Sequence, residues 1–291
     1  MSIDEARLRT TGIYASHSDK DTLLLIPEKM YTLMKREKMK KAYLTIDDAP
    51  SEDFLKKADY LYKRNIPVVF FCIGEKIEKR FDQLVSAIKM GFIIGNHSYS
   101  HNYFSNLNMD ECIREIQKTD QLVDRLYEKA GIDRTRKYFR FPHFDAGGHS
   151  SGADYEAHWN LPKDQWNQYP LKEKKEAIQE YLGQLQYELP HFKGINGKYF
   201  SEYSPLAGLD VKCTFDQAEY FLGNENAPWG LSGEDAILAR IDEDFPFEGR
   251  SLNCFETSDI ILVHDHEYTT ELFYRIIDRY MEKGISFQPF Q

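Results

Sequence analysis

The sequence predicts an α/β fold in which parallel strands are covered by helices. Short apolar or β-branched runs alternate with longer amphipathic stretches along the 291 residues, and glycines follow several of the amphipathic stretches. Strands that alternate with helices are typical of a parallel sheet with helices outside it. Such strands either close into a barrel or lie in an open sheet, and the pattern alone leaves both arrangements open.

The predicted strands are short runs of apolar and β-branched residues, as expected for strands buried on both faces. Their lengths fit strands better than helices, and turn residues or polar residues separate them from the next stretch. They lie at residues 42–46, 67–73, 92–95, 138–141, 211–215, 260–263 and 285–290.

The predicted helices carry apolar residues at helical spacing between these strands. Ser51, ahead of acidic residues, is expected to cap the first helix, and Asn108 is expected to cap the third. Gly91 and Gly131 are expected to end the second and third helices, because glycine readily adopts the left-handed conformation. The helices are predicted after Pro50 and at residues 75–90, 108–130, 232–242 and 269–283.

Two segments depart from this alternation. Residues 1–40 precede the first strand and are expected to form an N-terminal extension, whereas residues 41–291 carry the α/β domain. From about residue 146 to 207 the alternation stops, and this stretch is too long for a plain connection. We interpret it as an inserted cap or substrate loop with one helical run, at 171–189, and not as a second domain.

Composition excludes several classes of protein. The chain is 42% hydrophobic and 14% aromatic, too apolar for a disordered protein. Its net charge of −10 argues against a general nucleic-acid or membrane-surface binder. No run approaches the roughly 18 apolar residues of a membrane span, and the N-terminal segment lacks the apolar core of a secretory signal. A full-length chain of this kind would be cytoplasmic; the sequence leaves its oligomeric state open.

Charged and imidazole side chains follow four of the predicted strands. They are Asp47 and Asp48, His97 and His101, Arg140 and His143, and His264. Parallel strands bring their carboxyl ends to one edge, where α/β folds build their sites. Asp48, His97 and His101 supply the three protein ligands of a catalytic divalent-metal site, for which zinc fits best.

The adjacent carboxylates of Asp47 and Asp48 would repel each other unless their roles differ. A metal on Asp48 and the guanidinium of Arg140 on Asp47 would separate them, and Asp47 would then be the candidate general base. His264 is the candidate acid, because histidine can donate a proton near neutral pH. Other roles remain open on the residues alone: both aspartates could cap the following helix, and the histidines could be satisfied strand-end groups.

Four short motifs occur in order, each following a predicted strand. They are Thr45-Ile46-Asp47-Asp48-Ala49-Pro50, His97-Ser98-x-x-His101, Arg140-Phe141-Pro142 and Leu262-Val263-His264. Together they resemble the polysaccharide deacetylase family, the NodB-homology group of carbohydrate esterase family 4. The resemblance implies a distorted (β/α)7 barrel with parallel strands over residues 41–291, here with a long inserted cap after the fourth strand.

The same resemblance implies a role for each motif residue. Asp48, His97 and His101 would bind the metal, Asp47 would be the base, and His264 would be the acid. The reaction would be metal-dependent removal of an acetyl group from an N-acetylated carbohydrate.

Other positions implied by the resemblance include two departures from the family pattern. Arg140 would orient the base, and Leu262 would line the pocket for the acetyl methyl group. His143 stands where the family usually has tyrosine, and its backbone N–H would help to hold the oxyanion. The fourth motif, Asp-x-x-Asp-Trp, appears only as residues 216–220, so that Glu219 would tune the acid and Tyr220 would replace the aromatic wall.

The predicted function is therefore a metal-dependent hydrolase that deacetylates a carbohydrate and releases acetate. Two alternatives stay open. One is a hydrolase of a small cyclic amide or other non-peptide C–N bond, because a long cap over the site fits a small substrate. The other is a sugar-binding protein that has lost catalysis. The presence of both a base and an acid argues against this last alternative, since a binding protein needs neither.

Overall fold

The structure is a computed structural model and describes residues 13–17, 23–27, 39–158, 169–195, 208–246 and 250–291. The chain divides into two units, Met1–Lys40 and Lys41–Gln291. In the first unit, β1 (Ile13–His17) pairs antiparallel with β2 (Leu23–Pro27), and the rest of the predicted extension before residue 39 lies outside the described residues.

The second unit is built around one sheet. Its strands are β3 (Lys40–Ala49), β4 (Val68–Cys72), β5 (Ile93–Asn96), β6 (Phe215–Asp216), β7 (Asp259–His264) and β8 (Ile285–Phe287). The order is β5-β4-β3-β7-β6, and β8 pairs with β3. Every neighbouring pair along this order is parallel. The predicted α/β class with parallel strands is confirmed.

Phe139 continues the pairing beyond β5. It forms parallel bridges with Asn96 on one side and with Asp210 on the other, and the chain then runs from Asp210 into β6. The predicted strand 138–141 is thus reduced to one bridge residue, because Pro142 has no N–H to continue a ladder. The predicted strand 211–215 overlaps the two-residue β6 only at Phe215, since the Thr214 hydroxyl accepts the N–H of Ile260 at 2.8 Å.

Alternation along β3 sorts its side chains between two environments. Leu44 and Ile46 belong to the hydrophobic core that also holds the apolar faces of the helices. Successive strand residues point to opposite faces, so Thr45 and Asp47 point the other way. There both of them accept hydrogen bonds from Arg140. The strand therefore buries one face for stability and uses the other for polar chemistry.

Helices follow the strands in the described part of the chain. They are α1 (Phe54–Lys63), α2 (Gly74–Lys79), α3 (Phe81–Lys89), α4 (Met109–Ala130), α5 (Gly152–His158), α6 (Lys172–Gln184), α7 (Glu234–Ala239) and α8 (Thr270–Glu282). The predicted helix 75–90 is two helices, because Arg80 leaves the helical conformation at φ −132° and ψ 35°. Among the described helices, none combines the length and the apolar character needed to cross a membrane.

Capping explains where α4 begins and why α1 begins later than predicted. The Asn108 side chain accepts the Glu111 N–H at 3.0 Å, and the Glu111 carboxylate accepts the Asn108 N–H at 2.7 Å, a reciprocal capping box. Ser51 does not cap α1; the residue before that helix is Asp53. The Ser51 prediction is wrong because its N–H and hydroxyl both bind the buried carboxylate of Asp265, at 2.7 and 2.6 Å.

The predicted insertion contributes α5 and α6. Ile178 and Leu182 of α6 are fully buried in a cluster with Phe104 and Phe139. This packing attaches the inserted segment to the part of the domain that carries the candidate site. Residues 159–168 and 196–207 of the insertion lie outside the described residues.

Candidate active site

Asp48, His97 and His101 come together where β3 and β5 end. Their possible ligand atoms lie within 4.8 Å of one another. Oδ1 of Asp48 is 2.9 Å from Nε2 of His101 and 3.6 Å from Nε2 of His97. That oxygen is buried and accepts no hydrogen bond from any described residue. One carboxylate oxygen and two imidazole nitrogens that face one another in this way fit a divalent cation.

His97 is oriented for metal binding by its other ring nitrogen. Nδ1 lies 2.8 Å from the carbonyl oxygen of Arg140, which can only accept, so Nδ1 carries the proton. Burial lowers the pKa of His97 to about 4, which keeps the ring neutral near pH 7. Nε2 is then an unprotonated lone-pair donor turned toward Asp48. Such a hydrogen bond to the distal nitrogen is the usual support of a histidine ligand.

The turn that carries both histidines is held by a carboxylate on α4. Glu115 accepts hydrogen bonds from the N–H groups of Tyr99 and Ser100, each at 2.8 Å, and from the Ser100 hydroxyl at 2.7 Å. His101 itself has a left-handed backbone with φ 60°. A non-glycine residue in that region costs about 1–3 kcal/mol and persists only where its surroundings hold it. Glu115 supplies part of that hold.

Asp47 is paired with Arg140 beside the same triplet. Nη1 of Arg140 lies 2.7 Å from Oδ1 of Asp47, and both side chains are buried. Arg140 also donates to the Thr45 hydroxyl at 2.9 Å and to the Val211 carbonyl at 2.8 Å, so its guanidinium is fixed. The second oxygen of Asp47 lies 3.6 Å from Nε2 of His97. The arginine thus occupies one carboxylate oxygen, and the other faces the triplet.

His264, at the end of β7, is paired with Glu219. Nδ1 of His264 lies 3.3 Å from Oε1 of Glu219, which is fully buried and also accepts the His264 N–H. Burial by itself would lower the pKa of His264, but the carboxylates of Glu219 and Asp216 raise it to about 10. Asp216, Glu219 and His264 form a second group whose polar atoms lie within 4.8 Å of one another.

Aromatic and apolar residues surround these polar groups. The ring of Tyr220 meets the ring of His264 edge-on at a centroid distance of 4.8 Å. Leu262 is 1% exposed and lies on the same face of β7 as His264, two positions earlier.

His143 is held between the histidine turn and the insertion. Its ring stacks on Tyr103 at 3.8 Å and lies 4.6 Å from the ring of His101. Its carbonyl accepts the hydroxyl of Tyr155, in α5, at 2.6 Å. Burial, with the neighbouring His101, lowers the pKa of His143 to about 4, so its ring is neutral near pH 7.

One residue of the site is not singled out by the sequence. Nε2 of His266 lies 2.8 Å from Oδ2 of Asp48, and the ring centroids of His266 and His264 are 5.7 Å apart. His266 therefore links the Asp48 group to the His264 group. The available signal was the alternation His264-Asp265-His266 directly after a buried strand, but spacing alone does not tell which of the two histidines faces the site.

Comparisons with known proteins relate part of the chain to one family. Residues 34–151 match the family model for polysaccharide deacetylase. A peptidoglycan-N-acetylglucosamine deacetylase of Bacillus cereus is 41% identical over 85 residues, which are 28% of this chain and 30% of the relative. A chitooligosaccharide deacetylase of Sinorhizobium fredii is 24% identical over 127 residues, 43% of this chain and 59% of the relative. The matches span less than two thirds of either relative.

Solved structures show the same fold over more of the chain. A family 4 carbohydrate esterase from Streptomyces lividans in complex with acetate superposes with a TM-score of 0.50 at 18% identity, over 84% of this chain and 90% of that one. A mutant of a CE4 family pseudoenzyme with restored enzymatic activity gives a TM-score of 0.51 at 19% identity, over 86% of this chain and 65% of that one. The predicted resemblance is confirmed: over residues 34–151, which include Asp47, Asp48, His97, His101 and Arg140, the chain is similar to the polysaccharide deacetylase family.

Proposed function

We propose that the chain is a metal-dependent hydrolase that removes N-acetyl groups from a carbohydrate and releases acetate. The observation that carries the proposal is the convergence of Asp48, His97 and His101 on one point beside the Asp47–Arg140 pair. The relatives named as deacetylases of peptidoglycan and of chitooligosaccharides support an N-acetylated carbohydrate as the substrate class. One carboxylate and two imidazoles suit zinc among the divalent ions.

The first half of the reaction depends on the metal ligands and on Asp47. When bound by Asp48, His97 and His101, a divalent ion supplies a Lewis acid that polarises the amide carbonyl and lowers the pKa of water. Asp47 accepts the proton of the attacking water on Oδ2, because Arg140 occupies Oδ1. The hydrogen bond from the Arg140 guanidinium fixes the orientation of the Asp47 carboxylate.

The second half of the reaction depends on His264 and on the residues around it. Nδ1 of His264 faces Glu219, so Nε2 is the atom that donates a proton to the leaving amine. The backbone N–H of His143 is the proposed oxyanion donor, a type of contact typically worth about 2.7–4 kcal/mol of barrier. Leu262 and Tyr220 are the proposed contacts for the acetyl methyl group and the sugar.

Acetate release with and without metal tests this function. We expect the zinc-loaded protein to release acetate from an N-acetyl chitooligosaccharide or from a small N-acetyl sugar. Treatment with a chelator should abolish the release, and added Zn²⁺ should restore it. A zinc-loaded protein that releases acetate from none of these sugars contradicts the proposal. Hydrolysis of small cyclic amides by that same protein would then favour the other C–N hydrolase, and no hydrolysis at all would favour a binding protein.

The pH dependence of the reaction tests the role of Glu219. His264 must be protonated to donate, and its pKa is raised to about 10, so we expect the alkaline limb of the activity profile to lie near that value. Glu219→Gln removes one of the carboxylate charges that raise this pKa, and the alkaline limb of kcat/KM should move to lower pH. The matched control is Glu225→Gln, at an exposed position. An alkaline limb that does not move in Glu219→Gln contradicts the assignment of His264 as the acid.

The raised pKa of His264 also makes the stability of the fold depend on pH. The folded-state pKa of His264 lies above its usual 6.5, so the His264–Glu219 interaction stabilises the fold fully below about pH 6.5. That contribution is lost as pH rises through about 10. Denaturant titrations of the wild type and of Glu219→Gln across this range should therefore converge at the alkaline end.

A further inference from the structure

We infer that His266 is a positioning residue for the metal centre: its Nε2–H donates to Oδ2 of Asp48 and keeps Oδ1 aimed at His97 and His101. The two oxygens of Asp48 have different neighbours. Oδ2 is 2.8 Å from Nε2 of His266, whereas Oδ1 is 2.9 Å from Nε2 of His101. The inference rests on the proposed function, since it concerns the same metal centre.

Asp48 needs such support because of its position in the chain. Its backbone adopts φ 62°, in the left-handed region, within the buried last residues of β3. Lys76 donates to the Asp48 carbonyl at 2.7 Å, which fixes the backbone but not the torsion that turns the carboxylate. A carboxylate that rotates about this torsion presents either oxygen to a cation. The hydrogen bond from His266 selects one orientation, as partners of metal-ligating carboxylates commonly do.

The ring of His266 is fixed from its other side. Nδ1 lies 2.9 Å from the hydroxyl of Tyr268, and that hydroxyl lies 3.0 Å from the carbonyl oxygen of Tyr220. Tyr220 directly follows Glu219, the partner of His264. The contact series from Asp48 through His266 and Tyr268 therefore ends at the residue beside the proposed acid pair.

The backbone of His266 is anchored by a buried ion pair. Nζ of Lys57 donates to the carbonyl of His266 at 2.8 Å and lies 2.6 Å from Asp265, with both charged side chains 1% exposed. The carboxylate of Asp265 also accepts the N–H and hydroxyl of Ser51. These contacts join the loop after β7 to the loop after β3. The distance between His266 and Asp48 is therefore fixed, although the two residues belong to distant parts of the sequence.

The contacts favour an orienting role over a ligand role. His266 is not among the three side chains whose ligand atoms lie within 4.8 Å of one another. Its Nε2 is instead at hydrogen-bonding distance from the oxygen of Asp48 that does not face His101. An orienting donor should be replaceable by another donor in the same place, which gives the inference a specific test.

The test compares zinc affinity, measured by competition with a chromophoric chelator, in the wild type and three variants. His266→Ala removes the donor and should bind zinc about 10–100-fold more weakly. His266→Gln places an amide N–H close to the position of Nε2 and should recover most of that loss. His191→Ala, at an exposed position outside the site, is the matched control and should bind like the wild type. Equal affinity in His266→Ala and wild type overturns the inference, and so does a His266→Gln variant as weak as His266→Ala.

Acetate release from the same preparations separates this inference from the proposed function. If the wild type binds zinc but releases no acetate, the proposed function fails while the affinity series still decides the role of His266. If the wild type is an active deacetylase and His266→Ala keeps its zinc affinity, only the inference fails. A wild type without zinc affinity overturns both.

Discussion

Asp48→Ala is expected to lose bound zinc and, with it, nearly all acetate release. The substitution removes the oxygen toward which the Nε2 atoms of His97 and His101 point, and two imidazoles alone leave the cation short of a ligand. The loss of affinity should exceed the roughly 10–100-fold that follows removal of an outer-shell partner. Zinc content after dialysis and the rate of acetate release measure the two effects.

A control for this prediction is Asp133→Ala, which removes an exposed carboxylate outside the site. It should keep both zinc and activity. Far-UV circular dichroism of the two variants should match the wild type, so that loss of metal is not mistaken for loss of fold. An Asp48→Ala protein that retains zinc near wild-type affinity would mean that the cation binds elsewhere.

Asp47→Asn is expected to keep zinc and lose turnover. An amide cannot accept the proton of the attacking water, and loss of a general base typically costs about 10²–10⁴-fold in rate. The effect should fall on kcat, with KM little changed, because the interaction is needed for the chemical step and not for sugar binding. Steady-state kinetics on the zinc-loaded variant measure this separation.

The stability of Asp47→Asn is part of the same prediction. Arg140 is fully buried, and removing the charge of its partner leaves a buried cation without compensation. Breaking a buried ion pair in this way costs about 3–5 kcal/mol when the contact is lost altogether. The asparagine carbonyl still accepts from Nη1, so the measured loss in free energy of unfolding should fall below that range. Wild-type kcat in a folded, zinc-loaded Asp47→Asn protein would exclude Asp47 as the base.

The sequence predicts the parts of the fold that depend on local chemistry. The capping box at Asn108 and the left-handed Gly131 lie where the pattern requires them, because caps and helix ends are decided within a few residues. The apolar run at residues 42–46 likewise predicts a strand, and β3 covers all of it. The pairing of Asp47 with Arg140 follows from the expectation that the adjacent carboxylates of Asp47 and Asp48 take different partners. Nη1 of Arg140 lies 2.7 Å from Oδ1 of Asp47.

Long-range contacts decide the parts that the sequence does not predict. Serine is a residue type that commonly caps helices, but Ser51 binds Asp265, which is 214 positions away in the sequence. His266 contacts Asp48 across 218 positions, and no local pattern reports such a contact. The strand pairing near the fourth motif is limited to Phe139, and the turn Pro142–Phe144 then carries His143 into the site.

Diffraction from zinc-loaded crystals, collected on both sides of the zinc absorption edge, would locate the bound cation. We expect an anomalous peak bounded by Oδ1 of Asp48 and by Nε2 of His97 and His101, and we expect this peak to disappear in Asp48→Ala crystals. A peak beside Asp216, Glu219 and His264 instead, or no ordered zinc within bonding distance of Asp48, would exclude the metal centre proposed at Asp48.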